Sequence, residues 1–222
     1  MKSMALVALF SSLLAAGPAV GNSIFYDNFD SSPAFSGFGR NIADGTTVNY
    51  NDPAYQFTSL LTGSVSTIEI GLRNTQLGTF KLDLATNAFD SSVLGTGQKP
   101  FTTLGSWTIS ATTLSAFRVV TINNISGVTL TAGQAYWLHA TPISGYTVWA
   151  NNEINASGPL YQCNGVGCGS HISFASAPTG MMRIVGEAGP VPEPEVWAMM
   201  IVGFGAIGVV VRSRNKIIFQ PQ

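Results

Sequence analysis

The feature that most constrains this chain is a period-two alternation of apolar and polar residues that starts near Ala54 and recurs as far as Val185. Tyr55, Phe57 and Ser59 alternate with Gln56 and Thr58. Ile68, Ile70 and Leu72 alternate with Glu69, Gly71 and Arg73, and Phe80, Leu82 and Leu84 with Lys81, Asp83 and Ala85. Successive side chains of a strand point to opposite faces, so half-buried strands need this pattern. Trp107 and Ile109 resume it after a Gly/Thr-rich loop. A strand over 117–122 is stopped by Asn123-Asn124, and Val128 and Leu130 lead into a turn over 131–134. Tyr136, Leu138 and Ala140 then alternate with Ala135, Trp137 and His139, which places His139 on the solvent side. Residues 147–150 and 181–185 are the last strands expected. A first strand is expected over 23–30, followed by a loop over 31–47. Asp27, Asn28 and Asp30 are too few oxygen donors for calcium, which takes six to eight, and read as solvated turn residues.

No helical periodicity of useful length appears between Asn22 and Glu187. About nine or ten short strands with Gly-rich turns predict an all-β domain, a β-sandwich of jelly-roll type. Charged residues make up only 9% of the chain, against about 25% in an ordinary soluble domain. Residues 22–187 carry six basic and nine acidic side chains, a net charge of −3. Phosphate binding needs a basic patch, so nucleic acid is excluded as a partner.

The two ends differ from the body. Residues 1–21 have the form of a secretory signal peptide: Lys2, an apolar run, then Ala19 and Gly21 as the small residues before a cleavage site at Asn22. Residues 188–195 are a Gly/Pro/Glu linker, extended and semi-rigid. Residues 196–211 are sixteen positions without a charge, a short transmembrane helix. Residues 212–222 form a basic tail in which Arg212, Arg214 and Lys216 hold the cytoplasmic side. Gly203, Gly205 and Gly208 spell the dinucleotide fingerprint. That motif needs a following βαβ unit and an acidic residue, and neither follows here.

Pro192-Glu193-Pro194, then Trp197, Ala198, Met199, Met200, Gly203, Phe204, Gly205, Gly208, Arg212 and Arg214, closely resembles the PEP-CTERM sorting signal of Gram-negative bacteria. The chain runs on past the basic cluster through residues 217–222. The resemblance implies recognition by an exosortase, transient residence in the inner membrane, and a final place at the cell surface or in the extracellular matrix beside exopolysaccharide. Less specifically, the stretch 128–138 (VTLTAGQAYWL) with Trp149 resembles the choice-of-anchor extracellular domains, which implies a β-rich module in front of an anchoring signal.

Cys163 and Cys168 are the only cysteines, and export would deliver both to an oxidising compartment. A disulfide across Asn-Gly-Val-Gly is expected, worth about 2 kcal/mol in the chain-entropy account. A metal site of Cys163, Cys168 and His171 would lack a fourth Cys or His nearby, so no metal or other cofactor is expected. Neither a G-x-S-x-G elbow nor an H-E-x-x-H helix is present, and no catalytic residue is assigned. Nine carboxylates leave a glycosidase open in principle, because that chemistry needs only a suitably spaced pair. Trp137, Tyr146 and Trp149 are candidate glycan contacts, since aromatic faces stack on sugar rings. Core packing by Trp137 or Trp149 is the competing reading. The function expected is that of an exported structural or adhesive protein of the exopolysaccharide matrix, with a surface polysaccharide hydrolase as the alternative.

Overall fold

A computed structural model describes residues 21–29, 38–46, 49–74, 78–111, 115–151, 156–163 and 170–189, together with Ile201 and Phe204. The expected signal peptide apart from Gly21, the Pro-Glu-Pro motif, the basic cluster and Cys168 lie outside the described residues. So does the expected transmembrane helix, apart from Ile201 and Phe204, which are helical and exposed. No helix of the described residues is long and apolar enough to cross a membrane.

Between residues 21 and 189 the described chain is strand and turn, without a helix. The strands are β1 (Asn22–Asp27), β2 (Gly39–Ala43), β3 (Ala54–Thr58), β4 (Gly63–Asn74), β5 (Gly78–Phe89), β6 (Leu94–Gly95) and β7 (Gln98–Ala111). They continue with β8 (Ser115–Ile122), β9 (Thr129–Leu130), β10 (Ala135–Ala150), β11 (Ser157–Cys163), β12 (His171–Pro178) and β13 (Met182–Ala188). All thirteen join in one sheet whose two halves share β10. In the first half β13 lies between β1 and β4, and β4 also pairs with β8 and β9. In the second the order is β7-β5-β10-β3-β11-β12-β6, antiparallel except for the short β12–β6 pair.

Residues 135–142 of β10 pair with β3 and β5, whereas 146–150 pair with β2 and the end of β4. The crossing lies at a register shift between Pro142 and Ser144. There Gly145 has a positive φ of 71°, which glycine adopts without a Cβ clash. The Asp44 carboxylate accepts the Gly145 N–H at 2.7 Å and fixes the corner. Expected strands over 135–140 and 147–150 are therefore one bent strand. Asn124, in the left-handed region at φ 59°, stands just past the end of β8.

The inward residues of both halves make one core. Ile68, Ile70, Leu72 and Ile184 from the first meet Tyr55, Leu82, Leu84, Leu138 and Leu160 from the second. Trp149 joins the halves: its ring meets Tyr55 edge-on at 4.9 Å, and its Nε1 donates to the Met181 carbonyl at 3.0 Å. A Cβ on Gly180 would come within 2.6 Å of Trp149 Nε1, so the backbone there has room only for glycine. Asn28 is not a solvated turn residue. It is buried, donating to Thr179 Oγ1 and the Gly180 carbonyl and accepting the Met182 N–H, which pins the end of β1 to the core.

Candidate functional site

The outer face of the second half carries a polar cluster built by strand register. His139 of β10 pairs with Ala54 of β3, Ala54 with Tyr161 of β11, and Tyr161 with Ser173 of β12. Directly opposed residues share a face, so these four side chains form one row across the sheet. One step along, Cys163 pairs with His171. Asp52, two residues before Ala54, continues the line of β3 towards them. Ala54 offers only a methyl group, leaving the space between His139 and Tyr161 open to larger neighbours.

Both histidines of the chain converge on Asp52. Its Oδ1 accepts the Cys163 backbone N–H at 2.6 Å. Its Oδ2 lies 3.2 Å from His171 Nε2 and 3.5 Å from His139 Nε2. The Asp52 side chain is 6% exposed, His139 18% and His171 31%, so solvent reaches the cluster from the His171 side. His139 Nε2 itself is sealed from solvent and lacks a hydrogen bond of ordinary geometry. Burial pushes the Asp52 carboxyl up, but His139, His171 and the Cys163 N–H outweigh it and hold the group at about 2. Tyr161 lies flat against His171, with ring centres 4.6 Å apart and planes 8° apart, and meets His139 edge-on. Burial, with Asp52 and Asp90 adding to it, pushes the Tyr161 phenol up to about 12. The donor atoms of Asp52, Cys163 and His171 all lie within 4.8 Å of one another.

The excursion between β5 and β7 packs on the apolar part of this face. Val93 packs against Ala54, Trp137 and Tyr161. Thr96 is bound to Ser173 through both backbone and side chain, and Lys99 is paired with Asp90.

Trp137 and Trp149 are not where a glycan could reach them. Trp137 and Trp149 are both 0% exposed. Trp137 donates its Nε1–H to Asn87 Oδ1 at 2.8 Å, while Trp149 is spent in the main core. The expectation of sugar stacking on them is corrected because neither ring has a free face. Tyr146 is half-buried, with its hydroxyl on Asn41 Oδ1 at 3.3 Å. His139, expected on the solvent side, is 18% exposed and faces Asp52. Asp52 belongs to no alternation: it precedes Pro53, just before the period-two pattern starts at Ala54. The neighbours that His171 lacks in sequence are His139 from β10 and Asp52 from the approach to β3.

A second concave surface is a cleft of about 410 Å³ on the side of β1 and β3, lined by Tyr26, Asp27, Gln56, Leu60, Ser157 and Pro159 among others. Tyr26 packs on Phe57 at 5.4 Å. Asp27 is held there by Arg183 Nε at 2.9 Å and by the Phe29 N–H at 2.8 Å.

No protein-family model, curated protein or solved structure matches this chain.

Proposed function

We propose that this is an exported bacterial surface protein, processed at Pro192-Glu193-Pro194 by an exosortase after brief retention in the inner membrane. Its body, a β-sandwich of jelly-roll type, serves a structural or adhesive role beside exopolysaccharide. The observation that carries the reading is the order of the tail: the Pro-Glu-Pro tetrad, the uncharged run over 196–211, then Arg212, Arg214 and Lys216. Strand register supports it. Asn22 faces Glu187 across the β1–β13 ladder, so the body's two ends leave from one corner. One end adjoins the expected cleavage point. The other runs through Gly189, whose N–H donates to the Thr62 carbonyl at 2.8 Å, towards the linker.

A Cys163–Cys168 disulfide belongs to the same reading. Cys163 is buried and carries no free thiol, as an oxidising destination would favour. For a glycan, the cleft beside Tyr26 is the better surface than the tryptophans. It combines an aromatic ring, the Gln56 amide and the Ser157 hydroxyl. A polysaccharide hydrolase would need a second carboxylate free to act on a bond. The Asp27 carboxylate in this cleft is already engaged by Arg183 and Phe29, which favours binding over hydrolysis.

The test is the intact mass and compartment of the protein in a Gram-negative host with and without exosortase. Residues 1–21 should be lost in both strains, and the segment after the Pro-Glu-Pro motif only where exosortase is present. An intact C-terminus in both strains would overturn the sorting reading and leave a simple membrane anchor.

A further inference from the structure

We propose that His139, His171 and Asp52 form a binding site for one divalent transition-metal ion of the zinc type. Four observations lead there. The chain has only two histidines, 32 positions apart, and the fold aims the Nε2 of each at the same carboxylate oxygen. The His171 contact, 3.2 Å, is a hydrogen bond in the metal-free protein and the His139 contact is 3.5 Å, and both distances also match the spacing of donor atoms around a shared metal. Zinc holds nitrogen and carboxylate oxygen at about 2.0–2.1 Å, and adjacent ligands of a tetrahedral ion then stand about 3.3 Å apart.

Third, His139 Nε2 is sealed from solvent without a hydrogen bond of ordinary geometry. A nitrogen left in that state is costly, and an ion between the three side chains would satisfy it together with the other two donors. Fourth, the supporting shell is already in place. The Cys163 N–H fixes Asp52 Oδ1 and leaves Oδ2 for the ion. Tyr161 stacks on one imidazole and bounds the other edge-on. Such partners hold a ligand's orientation in metal sites.

Two imidazoles and one carboxylate suit zinc, copper or nickel rather than calcium or magnesium. Cys163 takes part through its backbone, because its sulfur is not a free thiol. With three protein ligands, a fourth coordination position would remain for water or a donor group from outside, and His171, the most exposed of the three, is the side that solvent reaches. The site is separate from the sorting signal, so it stands or falls independently of the proposed export.

The experiment uses the full-length chain, without a histidine tag, purified in detergent and stripped with a chelator. Zn2+ is titrated by calorimetry and Co2+ by absorption spectroscopy. One ion per chain is expected, with a tetrahedral Co2+ spectrum lacking a sulfur charge-transfer band. His139→Gln and His171→Gln should each weaken Zn2+ binding about 100-fold. Should either variant fail to fold, the wild type alone decides: Zn2+ should protect its two histidines from carbethoxylation. Absence of saturable binding to the wild type would overturn the proposal. Equal binding by both folded variants, or histidines modified at the same rate with and without Zn2+, would also overturn it.

Discussion

The inner and outer faces of β3, β10 and β11 come from the same strands and carry opposite chemistry. Inward, Tyr55, Phe57, Tyr136, Leu138 and Leu160 enter a core that runs through the whole domain. Outward, Ala54, Trp137 and Tyr161 make a small apolar cluster beside Asp52, His139 and His171. The inner face is buried because its residues are apolar. The outer face is buried where Val93 of the β5–β7 excursion packs on it and stays partly open at His171, so its polar groups share one carboxylate. Burial in a two-faced sheet thus has two origins, and only the first leaves a simple alternation in the sequence.

The largest effect that could break this contrast is on the inner side. Trp149→Ala should cost about 3–5 kcal/mol, the range for deleting a large aromatic from a core. Trp137→Ala should cost less, since only Ala54, Tyr161 and Val93 surround it in its own cluster. Urea midpoints of the two variants measure the difference, and equal losses would show that the outer cluster is as integral as the core.

On the outer side, Asp52→Ala in the metal-free protein should cost about 1–3 kcal/mol, because it leaves the Cys163 N–H without its acceptor. Loss of a few tenths of a kcal/mol or less would mean that water takes over that acceptor's place and that the face is not sealed.

The smallest effect lies at the corner of β10, away from both faces. The side chain and backbone of Thr46, followed by the Gly145 N–H, lower the Asp44 carboxyl from its ordinary value of 3.8. A lowered acid contributes stability above its unfolded-state value and loses it as pH falls through the folded one. Asp44→Asn should therefore lower stability modestly at pH 7, flatten the acid limb below about pH 4, and converge with the wild type at the acid end. Thermal melts of both proteins across that range check it, and an unchanged acid limb would remove Asp44 from the corner's support.

The sequence pattern was sufficient for the strands whose apolar residues alternate cleanly. Ile68, Ile70, Leu72, Phe80, Leu82 and Leu84 are all buried as expected. Strand β2 was hidden because Ile42 is its one large aliphatic residue, and the strand exists by pairing with residues 146–150 of β10. Strands β11 and β12 were missed for a similar reason: Gly158-Pro159 and the run of small residues in 175–178 look like loop. The Gly/Thr-rich loop expected before Trp107 is largely β7, drawn into register by its pairing with β5. The polar cluster was the least legible part. Asp52, His139 and His171 lie far apart in the chain, and their meeting depends on the order β10-β3-β11-β12, which no local pattern encodes.

The place of β13 has a mechanical consequence. Residues 183–187 are bonded to β1 on one side, and 182–188 to β4 on the other. A pull applied to the chain beyond Ala188 enters along the axis of this strand. It loads both ladders in shear, many bonds at once, rather than opening them one after another. Asn28 adds a crosswise clasp at the far end, where it accepts the Met182 N–H. With the rest of the body held, β13 meets an axial pull on its C-terminal side with both neighbouring strands together.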